Sequence, residues 1–256
     1  MSFLQFRFPG VPNVLCAFGS RLGGVSCGAW RSSNISFEVE DSRENVESNR
    51  RIFKKELGFK RVVELKQVHG SDILFDPEGD FISGSDIPGD GAGISTPDTA
   101  VMIKTADCQP VFLVHESGGY ACGLHVGWRG NRAHFPLNGV REFCNFYRIS
   151  PGDVLAVRGP SLGPCCAEFD DFSRHWTDEF RDYYDFRTRC MNLWSLTRRQ
   201  LILAGLKPDN IYSVDLCTRC HEDLFFSYRR EKICGRLGNF VVIHEGAKPC
   251  LTQPER

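Results

Sequence analysis

Three apolar runs, separated only by short polar turns, dominate the middle of this chain: AVMIKT at 100–105, PVFLVH at 110–115 and YACGLHV at 120–126. Each is too short for a helix and rich in the residue types that fill buried strands. The Gly118-Gly119 pair between the second and third runs marks a hairpin. Three buried strands in succession require a sheet with other elements packed against it.

The rest of the chain supplies those elements. Residues 11–18 (VPNVLCAF) read as an early strand, and the SRLGGVSCG segment after them as a glycine-rich loop. Asp41 or Ser42 caps a helix that runs to about Phe59, with Val46, Phe53 and Leu57 on one side and Gly58 as its stop. Segments 61–68 and 72–75 read as strands flanking the turn His69-Gly70-Ser71. A Gly/Pro/Asp-rich loop spans about 76–99, a length that inside a compact domain often carries function. Helices are expected over 136–147 and 191–205, and strands over 153–158, 211–214 and 240–244. Strands and helices interleave without a βαβ period. The expected architecture is therefore α+β: a layered α/β sandwich with mixed sheets and several hairpins. With 256 residues, at the upper end of what one core supports, the whole of 1–256 is expected to form a single catalytic domain.

Charge narrows the partners. The 31 basic and 32 acidic residues leave a net charge of −1, without the basic excess that nucleic-acid binding normally shows. The cluster Arg229-Arg230 with Lys232 is too short to alter this. No apolar stretch approaches membrane-spanning length, and the N-terminus lacks the pattern of a signal peptide. The 12 cysteines are accordingly expected as reduced thiols in a cytoplasmic protein.

Three segments each place a metal-type or nucleophilic side chain at a turn beside a buried strand: KQVHGSD with His69, KTADCQP with Cys108, and GLHVGWRGN with His125. Two imidazoles and one thiolate leave a fourth tetrahedral position open, the usual arrangement of a catalytic zinc. The spacing matches no local zinc template, so the residues alone also fit two hydrogen-bonded histidines and a buried cysteine. A third reading makes Cys108 a thiol nucleophile activated by His125 or His69, as in a cysteine hydrolase.

These segments resemble the signature of the bacterial family long described as multicopper polyphenol oxidases (laccases). Its members are now regarded as zinc-dependent purine nucleoside phosphorylases with adenosine deaminase activity. The likeness runs through SRLGGVSCG, SSNISFEVED, ENVESNRRIF, KQVHG, GDGAG, KTADCQPVFLV, GLHVGWRGN, RGPSLGPCCAEF, NLWSLTRRQLILAG, DLCTRC, FFSYRRE and GRLGNFVVI, in order over nearly the whole chain. It implies that His69, Cys108 and His125 are catalytic and hold the metal, zinc, with copper a possible substitute. Val126 stands where the family usually has alanine, and Gln109 where an apolar residue is common; neither removes a ligand.

The implied reactions set further requirements. Phosphorolysis by inorganic phosphate needs cationic donors, for which Arg21, Arg129, Arg229 and Arg230 are candidates, and Trp128 is a candidate stacking surface for the purine. Adenosine, inosine and methylthioadenosine are the nucleosides to consider. Deamination would use a metal-activated water at C6, with Asp107 as a candidate proton carrier or partner of the ligand set. The H-x-E and P-C-x-x-C pattern of nucleobase deaminases is absent. Copper-dependent phenol oxidation is disfavoured by seven mostly isolated histidines. The segment Cys217-Thr218-Arg219-Cys220-His221 lacks the second ligand pair that a structural zinc site normally shows, which argues for a packing or loop role over metal binding. A monomer or small homo-oligomer is expected.

Overall fold

In the computed structural model, residues 1–246 are described. In chain order the elements are β1 (Phe3–Phe6), β2 (Val14–Gly19), α1 (Arg43–Leu57), β3 (Arg61–Val63), β4 (Ile73–Phe75), β5 (Gly91–Ile94), β6 (Thr99–Thr105), β7 (Gln109–His115) and β8 (Ala121–Val126). The second half adds α2 (Trp128–Arg132), α3 (Phe135–Tyr147), β9 (Val154–Arg158), α4 (Phe172–His175), β10 (Tyr184–Asp185), β11 (Cys190–Met191), α5 (Leu193–Leu203), β12 (Ile211–Ser213), α6 (Tyr228–Glu231) and β13 (Leu237–Ile243).

Two mixed sheets form the centre. One has the order β1-β2-β13-β6-β3, the other β12-β9-β7-β8-β5-β4, and β10 and β11 make a small separate hairpin. Alternation along the central strands assigns each side chain to a layer. Val101 and Ile103 of β6 meet Phe112 and Val114 of β7 in the core between the sheets, with Phe18, Val157 and Val241. The intervening Ala100 and Met102 turn outward to Phe53 and Leu57 of α1. Val111 and Leu113 of β7 turn the other way, toward Phe135, Val140 and Phe143 of α3 and Leu201 of α5. The result is four layers, helix–sheet–sheet–helix. Strands covered on both faces read as the unbroken apolar runs seen in the sequence.

Helix α1 ends as expected: Gly58 sits in the left-handed region at φ 71° and its N–H donates to the Lys54 carbonyl. Other boundaries moved. The strand expected over 61–68 stops at Val63, and Lys66 makes only an isolated bridge to Pro88. The loop expected over 76–99 contains β5, Gly91-Ala92-Gly93-Ile94, buried at every position. Glycine disguised this strand, because it has low β propensity. Here it is a packing requirement: a Cβ on Gly91 would lie 2.8 Å from the Ile73 side chain, and one on Gly93 2.4 Å from Phe75. The helix expected to begin at 191 begins at Leu193, after Cys190–Met191 pair with Tyr184–Asp185.

Candidate functional site

Strand register builds the site at one end of the sandwich. In the β7–β8 hairpin, Gln109 pairs with Val126 and Pro110 with His125. Cys108, just before β7, is therefore carried to the end of β8, beside Gly127. A Cβ on Gly127 would stand 3.0 Å from the Cys108 Sγ and 3.4 Å from the His69 ring, so a side chain there would crowd the site. His69 arrives from the loop after β3, in the left-handed region at φ 60°. Its Nε2 lies 3.9 Å from the Cys108 Sγ, and the two imidazole centroids are 4.8 Å apart. One donor atom from each of His69, Cys108 and His125 falls within a 4.8 Å span. Tetrahedral zinc with ordinary bond lengths sets a nitrogen–sulfur edge of about 3.6 Å. Donor type and spacing both fit a zinc ion.

Asp90, one residue before β5, organises the cluster. Its Oδ1 accepts from the His125 Nδ1 at 2.7 Å and from the His69 backbone N–H at 3.0 Å. Its Oδ2 accepts from the N–H groups of Val68 and Gly70. This fixes the His125 tautomer, leaving Nε2 for the cluster. Burial opposes ionisation of Asp90, but His125 and the backbone donors outweigh it and hold the carboxyl below its usual range. Burial likewise opposes a Cys108 thiolate, yet the charge and hydrogen bonding of His125 and His69 bring it down to about 6. His125 is pushed up to about 9: burial lowers it, and the Cys108 thiolate and Asp90 more than reverse that.

Asp107, in the left-handed region, has both carboxylate oxygens engaged: Oδ1 accepts from Thr218 Oγ1 at 2.7 Å and Oδ2 from the Arg229 N–H at 2.6 Å. It serves as an anchor for the turn that presents Cys108, and a shuttling proton would have to displace these bonds.

A cavity of about 660 Å³ opens over the cluster, within the range of small-molecule sites. Of the expected binding residues, Trp128, Arg129 and Arg229 line it; Arg21 and Arg230 do not. Arg21 pairs with Glu231 at 2.9 Å, lies over Phe226 and faces a separate surface depression. Arg230 donates to the carbonyls of Thr218, Arg219 and Phe225. The wall also contains Lys104, Lys232, Arg236, Phe169, Tyr228 and Gln109, which sequence reasoning did not single out as binding residues. Lys104 is held by Glu38 and Glu64, while among the described residues Arg129, Arg229, Lys232 and Arg236 enter no ion pair. Gln109 donates to Asn131 Oδ1, and its own Oε1 is buried without a partner.

A second cluster lies behind the cavity wall, where Cys217 and Cys220 meet Cys165 and Cys166. Sequence spacing concealed this pairing because the adjacent Cys165-Cys166 and the C-x-x-C of Cys217 and Cys220 are far apart along the chain. The described cysteines are all free, and no helix among the described residues is long and apolar enough to cross a membrane.

The chain has relatives over nearly its whole length. The chain is similar to the purine nucleoside phosphorylase YlmD of Geobacillus stearothermophilus, 30% identical over 93% of each chain. It is also similar to the purine nucleoside phosphorylase YfiH of Escherichia coli, 30% identical over 92% of this chain and 96% of the relative. The crystal structure of the Geobacillus YlmD superimposes with a TM-score of 0.85 at 30% identity, over 96% of this chain and 97% of that one. A family model described as multi-copper polyphenol oxidoreductase laccase matches residues 15–244. The protein belongs to that family.

Proposed function

We propose that the protein is a cytosolic zinc-dependent purine nucleoside phosphorylase that also deaminates adenosine. The observation that carries this reading is the three-donor cluster of His69, Cys108 and His125 opening into a cation-rimmed, aromatic-walled cavity. The names of relatives aligned over nearly the whole chain support it. The copper chemistry in the family's description is poorly matched. Among the described residues the metal-type groups are this trio and a set of four cysteines, and two converging histidines are far fewer than a multicopper centre needs.

Phosphorolysis forms a bond from a phosphate oxygen to the ribose C1′ and breaks the bond from C1′ to the purine nitrogen, whose electron pair leaves with the base. Arg129, Arg229 and Lys232 of the cavity wall would hold the phosphate monoanion or dianion, the two guanidiniums by forked hydrogen bonds. Trp128, Phe169 and Tyr228 offer faces for the purine, and the Arg129 guanidinium lies over the Trp128 ring, 4.5 Å from its centroid. Zinc on the trio would supply Lewis-acid polarisation at its open position, for base departure in one reaction and water activation in the other.

One observation favours a second reading. Cys108, His125 and Asp90 form the thiol–imidazole–carboxylate relay of a cysteine hydrolase, with the thiol lowered to about 6. The thiol relay needs only one of the two histidines beside Cys108, whereas a metal site uses both, which ranks the phosphorylase first. Incubation of zinc-loaded protein with inosine or adenosine, with and without phosphate, tests the choice. Phosphate-dependent release of base with ribose 1-phosphate is expected. No release of base from either nucleoside by the zinc-loaded protein, with an acyl-enzyme trapped on Cys108 from an activated ester, would favour the hydrolase.

A further inference from the structure

The four cysteines behind the cavity wall come from two turns that the fold presses together. In the first, the N–H groups of Cys166 and Ala167 both donate to the Gly163 carbonyl; in the second, the His221 N–H donates to the Cys217 carbonyl. Ser161 and Leu216–Thr218 join the turns in parallel-bridge fashion, through Thr218 N–H to Ser161 O and Ser161 N–H to Leu216 O. Gly163 permits the approach: a Cβ there would stand 3.0 Å from the Cys217 Cβ and 3.2 Å from the Cys165 Sγ.

The sulfur atoms converge. Cys220 Sγ lies 3.6 Å from Cys165 Sγ and 3.4 Å from Cys166 Sγ, and all four fall within a 4.8 Å span. The sulfur–sulfur edge of a tetrahedral zinc tetrathiolate is about 3.8 Å. A disulfide would join only two of these sulfurs, and would not explain why a single Sγ is approached by two others at nearly equal distance. Two ligands, Cys166 and Cys217, are buried; the other two, Cys165 and Cys220, are exposed and leave an entry path for the ion. The Gly163 N–H donates to the Cys217 Sγ at 3.2 Å, the kind of backbone bond that stabilises a coordinated thiolate.

We propose that Cys165, Cys166, Cys217 and Cys220 form a second, structural zinc site, closed by four thiolates and separate from the His69–Cys108–His125 cluster. Binding exchanges four thiol protons for one divalent cation, with no change in oxidation state. The site staples a part of the molecule poor in regular structure, where residues 159–189 carry only the one-turn α4, a short 3-10 turn and the β10 strand. Its neighbours along the chain form the cavity wall. Leu162 donates its N–H to the Asp107 carbonyl, Thr218 holds the Asp107 carboxylate, and Phe169 lies three residues past Cys166. The staple therefore sets the position of the turn that presents Cys108.

The test uses the full-length Cys108→Ala variant, in which the first site lacks its thiolate. Purified under reducing conditions and passed over a chelating resin, it is expected to keep about one equivalent of zinc by elemental analysis and native mass spectrometry. Replacement by cobalt is expected to give the intense charge-transfer absorption of four thiolates, which no other group in that variant supplies. Adding Cys165→Ser and Cys220→Ser, at two exposed positions, is expected to remove that equivalent and to lower the thermal midpoint. Absence of tightly bound metal in Cys108→Ala, with the four thiols freely titratable, would overturn the proposal. A mass two hydrogens short, showing a disulfide within the cluster, would do the same. The cobalt spectrum of Cys108→Ala keeps the question decidable if the triple variant does not fold.

Discussion

Asp90 connects more of the active cluster than any of the three proposed ligands. It accepts from one ligand's ring and from the backbone on both sides of another. Asp90→Asn keeps the shape but weakens the acceptor, and is expected to reduce zinc affinity by about 10–100-fold, measured by competition with a chromogenic chelator. Because folding lowers its pKa, the stability Asp90 contributes is present above the ordinary carboxyl range and is lost as pH falls through the folded value. Metal-free wild type should accordingly lose stability on acidification more steeply than metal-free Asp90→Asn. Cys108 gives a second prediction at this scale. In metal-free protein its alkylation by iodoacetamide should rise with pH around a midpoint near 6, well below an ordinary thiol, and zinc should protect it. A midpoint in the ordinary thiol range would remove the thiolate–imidazolium pair from the account. The ligand residues were legible as turn residues at strand ends, whereas Asp90 was visible only as part of GDGAG. Nothing in a glycine-rich segment announces that its one carboxylate will accept four hydrogen bonds across the fold.

At the scale of elements, the runs over 99–105, 109–115 and 121–126 could be read because strands buried on both faces leave an unmistakable apolar signature. Strand β5 could not, because its glycines are selected by neighbours distant in sequence. Gly93→Val would drive a branched side chain into Phe75 and is expected to destabilise the protein by about 1–3 kcal/mol, read as a shift in urea midpoint at constant slope. An unchanged midpoint would mean that β5 is not packed as described. Burial of charge is another feature invisible to periodicity. Arg50 on α1 is 1% exposed and makes two hydrogen bonds to Glu64, which is 2% exposed and also pairs with Lys104 at 2.6 Å. Glu64→Gln leaves two cations without their shared anion and is expected to cost about 3–5 kcal/mol. Because Lys104 lines the cavity, the same variant should also alter substrate KM.

For the molecule as a whole, four layers leave the strand ends at one edge of the sandwich free to carry chemistry, and the loops there converge on one cavity. The layered α/β architecture was legible from the order of elements. Which arginines face that cavity was not: Arg129 and Arg229 do, while Arg21 and Arg230 brace other loops. Arginines differ in role here only through tertiary partners, which one sequence does not reveal. The central claim is that nucleoside cleavage occurs where His69, Cys108 and His125 hold a metal. It is tested most directly by titrating zinc into chelator-stripped protein while following ribose 1-phosphate formation from inosine and phosphate. Activity should rise in proportion to occupancy of this site and be absent at every zinc level in Cys108→Ala. Full activity in the stripped protein, or in Cys108→Ala, would contradict the account.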